Sequence, residues 1–308
     1  MIASLGAAEA RPIPIICGPT ASGKTSVALE LASHAPIEIV SADSRQLVRH
    51  LDIGTAKPTA AERARVPFHL IDIIEPGERY SAFRFINDAT RVIKEILKRG
   101  HQPMLVGGTG LYLRALTDGV VEIEQGDMLI RQELERQMDE LGPEALHARL
   151  KEIDPLEASK IHPNNRVRVM RALEIFHLTG KSKSEVTATG SYRKSDFQFE
   201  YHCILPERAK LYQRINERVD EMLQLGWVAE TEGMAAQGMA DQVRLANIIG
   251  YNELLNYIEG LISLEEAVSS IKQSTRRYAK RQVTWFTRQG NCKYYSAAQE
   301  VITVLGRR

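Results

Sequence analysis

From Pro12 to Leu116, short β-branched apolar runs alternate with stretches of helical spacing, the signature of βαβ units built on a parallel sheet. The runs predict strands over Ile13–Cys17, Ile37–Ser41, Phe68–Ile73 and Met104–Val106. From Asp127 to Thr179 the pattern turns wholly helical: Leu134, Met138 and Leu141, then Leu146, Leu150 and Ile153, then Val169, Leu173 and Phe176 recur at helical intervals. Gly142-Pro143 starts one of these helices and Gly180 stops another. Between Gly180 and Gln198, Lys, Ser, Thr and Gly take over, which reads as an exposed linker or loop. A short strand over Tyr201–Leu205 follows. Helices are then expected over Glu207–Leu225 and Tyr251–Glu259, closed by Gly226 and Gly260, and from Ser263, whose capping box is completed by Glu266. The pattern implies a parallel α/β core over 12–121 and 199–308, with a helical C-terminal part, interrupted by an inserted all-helical subdomain over 122–198.

Composition adds limits. The 308 residues are 44% hydrophobic and 26% charged, enough for a proper core and too apolar for a disordered chain. Lys+Arg 40 against Asp+Glu 39 rules out a uniformly basic nucleic-acid coat but not local patches. Cys17, Cys203 and Cys292 match no zinc or disulfide spacing, which points to a reducing, cytoplasmic setting and away from a thiolate-held metal. Met1–Arg11 lacks a basic leader pattern and nowhere do about 18 apolar residues run together, so a chain neither secreted nor membrane-spanning is expected. With no coiled-coil seam, a monomer is expected.

The candidate chemistry begins at Gly18-Pro19-Thr20-Ala21-Ser22-Gly23-Lys24-Thr25, which fits G-x-x-x-x-G-K-[ST] between a strand and a helix carrying Val27, Ala28 and Leu31. Such a P-loop offers backbone N–H groups and a helix N-terminus to anionic oxygens, and its glycines remove Cβ atoms that would block approach. Lys24 adds a point charge and Thr25 a hydroxyl for Mg²⁺. The motif makes the core P-loop NTPase-like, but a nest for a nucleotide tail holds any diphosphate equally well.

In a parallel sheet the carboxyl ends of all strands share one edge, where ligands bind. The second strand delivers Asp43 and Ser44 there; Asp43 is either a cap for the turn or, beside a phosphate nest, a general base or Mg²⁺ partner. A later strand ends in Gly107-Gly108-Thr109-Gly110, where a kinase or ATPase would often place an Asp for Mg²⁺. Glycines and a threonine suit a cleft admitting a bulky acceptor, although a tight turn also explains the glycines.

No Asp or Glu occurs between Glu266 and Glu300, whereas Lys272, Arg276, Arg277, Lys280, Arg281, Arg288 and Lys293 do. Arg276, Arg277, Lys280 and Arg281 share one helical face, with Ala279, Val283 and Phe286 opposite. A solvated face or a phosphate-binding one fits this pattern. A second basic cluster, His162–Arg171, holds Arg168 and Arg171 one turn apart. Arg214 and Arg218 stand at i, i+4 and would reach a diphosphate or RNA, or pair with Glu217 and Asp220.

Taken with Asp43-Ser44-Arg45-Gln46, Asp52-Ile53-Gly54-Thr55-Ala56-Lys57-Pro58, Gly107-Gly108-Thr109-Gly110-Leu111-Tyr112, His162-Pro163-Asn164, Ile249-Gly250-Tyr251 and Ala279-Lys280-Arg281-Gln282, the P-loop makes the chain closely resemble the bacterial tRNA dimethylallyltransferase (isopentenyl-tRNA transferase) family from about residue 13 to about 290. The resemblance implies transfer of a dimethylallyl group from dimethylallyl diphosphate to N6 of the adenosine 3′ of the anticodon, with Mg²⁺. It puts the general base on Asp43 and further catalytic roles on Thr109 and Arg218. The diphosphate falls on Gly18, Thr20, Ala21, Ser22, Gly23, Lys24 and Thr25, the last also the Mg²⁺ ligand. It implies contact with the tRNA anticodon stem-loop through Asp43, Ser44, Arg45, Gln46, Thr109, Arg131, Arg168, Arg171, Arg276, Arg277, Lys280 and Arg281. The chain departs from the family's usual pattern at Val48, His50, Val167 and Arg277. Three other readings use the same residues: an adenylate isopentenyltransferase acting on free nucleotides, a P-loop kinase or ATP-driven RNA-binding protein, and a non-catalytic RNA-binding protein with a vestigial P-loop, which Asp43 and Thr109 argue against.

Overall fold

The computed structural model describes residues 12–121, 127–190 and 192–307; the leader-free reading of Met1–Arg11 lies outside them. The elements are β1 (Ile13–Cys17), α1 (Lys24–Ala32), β2 (Ile37–Ser41), α2 (Ala60–Arg65), β3 (Phe68–His69), α3 (Ala82–Lys98), β4 (Gln102–Gly107), α4 (Gly110–Asp118), β5 (Val120–Val121), α5 (Met128–Ile153), α6 (Pro155–Ala158), α7 (Arg166–Thr179), α8 (Lys183–Thr189), β6 (Tyr192–Arg193), β7 (Phe199–Ile204), α9 (Arg208–Gln224), α10 (Trp227–Ala236), α11 (Ala240–Ala246), α12 (Tyr251–Ile258), α13 (Leu264–Phe286), β8 (Cys292–Tyr295) and α14 (Ala298–Leu305).

They form two compact units. The first runs to Thr117 and resumes at Ser195; the second is Asp118–Lys194. The junctions therefore precede the 121/122 and 198/199 boundaries expected from the pattern, because β5 and β6 pair antiparallel within the insert. That pairing also corrects the all-helical expectation. The supposed linker after Gly180 contains α8, started by a capping box between Ser182 and Glu185.

The first unit is an α/β structure around a six-stranded sheet in the order β3-β2-β4-β1-β7-β8, every pairing parallel. Residues on β1 and β2 are buried throughout, as expected of strands covered on both faces. Cys17 lies opposite both Gly107 and Cys203, and Ser41 opposite Val106, so the strand ends align and release their loops at one edge. On one side Val27 and Leu31 of α1 and Val301 of α14 pack with Ile16, Ile39, Met104 and Ile204. Each such aliphatic side chain contributes about 1.5–3 kcal/mol when fully buried. The second unit encloses its own core, in which Leu134, Met138, Leu146 and Leu150 of α5 meet Val169 and Leu173 of α7. Within α5 the chain breaks at Gly142, with φ 84°, and resumes helically through Pro143.

Some expected elements change. The strand expected over Phe68–Ile73 stops at His69: Leu70 and Asp72 take positive φ, and Lys57 and Arg63 claim the Asp72 carboxylate. Edge strand β8 and helices α10, α11 and α14 were not anticipated. Among the described residues no helix is long and apolar enough to cross a membrane.

At the amino end of β2 the 3% exposed Glu38 accepts hydrogen bonds from Arg99 Nε at 3.0 Å and Nη2 at 2.7 Å. It also lies 2.6 Å from His69 Nε2 and 2.8 Å from His101 Nδ1. The Arg99 bonds outweigh burial and pull the Glu38 carboxyl from 4.5 down to about 2. A carboxyl depressed by folding stabilises the protein above its unfolded value, and this stabilisation is lost as pH falls from 4.5 toward about 2. Glu38→Gln is therefore expected to melt at a lower temperature at neutral pH, yet to lose less Tm than the parent through that acid window; parallel acid slopes in a thermal melting series would refute this.

Candidate active site

Four features converge at the carboxyl edge of the sheet. The loop Gly18–Gly23 leaves β1 and ends on α1, whose first residue is Lys24. Lys24 Nζ donates to the Pro19 carbonyl at 2.6 Å, curling its side chain over the loop. Ser22 Oγ is fully buried and has no hydrogen-bond partner among the described residues. A buried orphan hydroxyl, a cation and a helix N-terminus together make a cradle matched to an anion.

Gln282 of α13 fixes this cradle to the next loop. Its Oε1 accepts from the Thr20 backbone N–H at 2.8 Å, and its Nε2 donates to the Gly108 carbonyl at 2.9 Å. A Cβ at position 108 would lie 2.4 Å from Nε2, so the bridge needs a glycine there. Beside it, Thr109 Oγ1 accepts from the Ser44 N–H at 2.9 Å, and Asp43 Oδ1 accepts from the Arg45 N–H at 3.0 Å. These bonds set the turn that presents Asp43.

Asp43 shares one cavity with Thr20, Ala21, Lys24, Thr25 and Arg218. Its apolar wall consists of Ile215, Val219, Met222, Trp227, Ile248 and Ile249. Burial pulls the Lys24 ammonium from 10.5 down to about 8; Asp43 opposes that fall and Arg218 adds to it. Burial likewise lowers the Arg218 guanidinium, again against Asp43. Lys24, Arg45 and Arg218 thus line this cavity with Asp43 as its one carboxylate among the described residues, while Glu221 also supports the Arg218 charge. Arg214 and Arg218 also border the P-loop at Lys24 and Thr25. The alternative partners of these arginines are engaged elsewhere, Glu217 with Gln213 and Asp220 with Lys272.

Other sequence-derived candidates fall into different settings. Ser44 and Thr109 support the Asp43 turn. Gln46 accepts from Ser41 Oγ and donates to the Ala56 carbonyl, and Arg45 Nη1 donates to the Asn247 carbonyl at 3.2 Å. On α13, Arg277, Lys280 and Arg281 are exposed, whereas Arg276 donates to Asn216 Oδ1 at 2.7 Å. Ala279 and Phe286 are buried on the other face, as their spacing implied. In the second unit Arg168 is exposed, Arg131 pairs with Glu135, and Arg171 with the buried Glu174.

The sequence profile described as IPP transferase matches residues 46–289, and one described as isopentenyl transferase matches residues 12–67. The chain belongs to the IPP transferase family. A tRNA dimethylallyltransferase of Geobacter metallireducens is 46% identical over 280 residues, covering 91% of each chain. A solved tRNA isopentenylpyrophosphate transferase from Bacillus halodurans is 40% identical, with a TM-score of 0.68 over 97% of this chain and 96% of its own. A eukaryotic dimethylallyltransferase acting on tRNA superposes with a TM-score of 0.79 at 28% identity, over 96% of this chain and 79% of its own.

The family's Asp52–Pro58 segment gains a physical role. Glu230 Oε2 accepts from the N–H groups of Asp52 and Ile53, each at 2.9 Å, and Tyr251 donates to Glu230 Oε1 at 2.6 Å. Buried Lys57 donates to Asp52, Asp72 and the Val48 carbonyl, so Gly54–Ala56 enters the cavity on a fixed loop.

Sequence reasoning did not single out Gln282 or Trp227 as site residues. The break in the basic run, where an uncharged Gln follows Lys280-Arg281, was the available signal for the former. Gln282→Leu strands the Thr20 N–H and the Gly108 carbonyl, at about 1–3 kcal/mol for each buried group left unpaired. A lowered Tm is expected, with faster amide exchange across 18–25 and 107–110; unchanged exchange in both loops would contradict the bridge.

Proposed function

We propose that the protein transfers a dimethylallyl group from dimethylallyl diphosphate to N6 of the adenosine immediately 3′ of the anticodon in tRNA, releasing diphosphate. The carrying observation is the cavity in which Asp43 faces Lys24 and Arg218 across an apolar wall. The activities of the relatives agree with that chemistry.

The anionic end of the donor sits in the P-loop, where the Gly18–Thr25 amides, the Ser22 hydroxyl, Lys24 and Arg218 receive it. Its apolar tail lies against Ile215, Val219, Met222, Trp227 and Ile248. Thr25 and Asp43 offer hard oxygen donors in the same cavity, a set that fits Mg²⁺. When bound, Mg²⁺ neutralises charge on the diphosphate. The N6 lone pair is delocalised into adenine and is a weak nucleophile. Asp43 takes the N6 proton as the new C–N bond forms and the allylic C–O bond breaks, and the electron pair of that bond leaves with the diphosphate. Lys24 and Arg218 hold the growing negative charge where water is scarce. Thr109 acts by fixing the Asp43 turn. The target base leaves the anticodon-loop stack to reach Asp43. The exposed cations Arg277, Lys280 and Arg281, with Arg168 of the second unit, meet tRNA phosphates. On this reading the enzyme works as a cytoplasmic monomer.

Incubation with tRNA, Mg²⁺ and dimethylallyl diphosphate, followed by mass spectrometry of nucleosides, is expected to yield N6-dimethylallyl adenosine. Asp43→Ala should slow this by a factor of ~10²–10⁴, the usual worth of a general base. Unmodified tRNA with consumption of ATP would favour the kinase or switch instead. Reversing the charges of Arg277, Lys280 and Arg281 should abolish tRNA modification, whereas prenylation activity left intact by that reversal would favour the adenylate transferase.

A pH profile tests Lys24. The diphosphate binds its protonated form, so donor affinity should weaken as pH rises through about 8 in the free protein. Lys24→Arg, which stays charged, should flatten that limb of the KM profile; an unchanged limb would assign the titration to another group.

A further inference from the structure

The spacing of Cys17, Cys203 and Cys292 along the chain suggests no metal site, yet the sheet assembles them. Cys17 on β1 is directly opposite Cys203 on β7, and Cys292 on β8 is opposite Tyr201, two residues from Cys203. Side chains two apart on a strand share a face, so all three thiols project from the same side of three neighbouring strands. Their Sγ atoms lie within 4.8 Å of one another. Three sulfurs around one tetrahedral ion at the usual ~2.3 Å stand ~3.8 Å apart, a closure within reach of small rotamer adjustments.

We infer that Cys17, Cys203 and Cys292 form a binding site for a thiophilic divalent d10 cation, zinc(II) in the first instance, held by three thiolates with one position open. The donor set is soft and sulfur-only, which selects such ions over Mg²⁺. Cys17 and Cys203 are fully buried and Cys292 is partly exposed on the edge strand, so the ion has rigid inner ligands and an entry side. Cys292, on the accessible side, is thus the first ligand an entering ion meets, and the ion displaces thiol protons as it binds. His202 sits between Tyr201 and Cys203 in sequence but is engaged by Glu200 and Tyr295, which leaves the site to the thiols. Three thiolates and a divalent ion carry one net negative charge, close to Lys24, whose charge already couples to Cys17 and Cys203. The site therefore lies directly behind the anion cradle, with Cys17 preceding Gly18.

The test uses the full-length, fully reduced protein under anaerobic conditions. Zn²⁺ is titrated against a chromophoric chelator, Cd²⁺ serves as a spectroscopic probe of thiolate ligation, and alkylation of Cys292 is timed with and without Zn²⁺. Expected are one Zn²⁺ per chain, a thiolate-to-cadmium charge-transfer band, affinity that rises with pH, and protection of Cys292. Cys292→Ser should lose the first three without a change in melting behaviour, since it alters one edge-strand atom, and Cys292→His, which restores a ligand, should recover Zn²⁺ binding. Equal Zn²⁺ affinity in Cys292→Ser or absence of the cadmium band would each overturn the assignment.

Discussion

A single carboxamide holds open the space in which the proposed chemistry occurs. Gln282 accepts from one loop and donates to another, and both loops leave the same edge of a parallel sheet. Without that bridge, two backbone groups would be buried without partners, so α13 must dock at one height and one rotation. The same helix turns Arg277, Lys280 and Arg281 outward. Its inward face thereby fixes the anion cradle while its outward face carries the charges proposed to meet RNA. Within the first unit, the two halves of a transfer reaction are coupled through one rigid rod.

The cradle is electrostatically unfinished. Lys24 and Arg218 are both deprived of water; Asp43 acts on both, and Glu221 on Arg218, without cancelling the cost of burial. This arrangement costs stability, as strained and under-compensated sites commonly do. On the proposed function, an incoming diphosphate would relieve the repulsion between the cations, so part of its binding free energy would already be stored in the folded protein. The buried, unpartnered Ser22 hydroxyl belongs to the same pattern.

Much of this was legible because it is local. The P-loop is a contiguous eight-residue motif between a strand and a helix, and β1, β2 and β4 announce themselves by β-branched runs. Asp43 and Gly107–Gly110 could be placed on the ligand edge because parallel topology fixes which ends of the strands align. What escaped was non-local or weakly patterned. Gln282 meets Thr20 and Gly108 across most of the chain length. Edge strand β8, Cys-Lys-Tyr-Tyr, carries little apolar signal because it is largely exposed. The cysteines looked unrelated since their proximity arises from register rather than spacing. The segment after Gly180 looked like a linker because a capped seven-residue helix is composed of the same small polar residues as a loop.

Trp227 lies between two glycines far apart in sequence. A Cβ at Gly54 would fall 2.2 Å from its Nε1, and one at Gly250 would fall 2.1 Å from its Cη2. The indole also meets Tyr251 edge-on at 5.6 Å. The three positions therefore divide a fixed volume among themselves: a side chain gained at either glycine must be given up at the tryptophan. Evolutionary drift at any one of them is conditional on the others, so the loop over the cavity, the start of α10 and the start of α12 would be inherited as one unit, each constraining substitutions in the others.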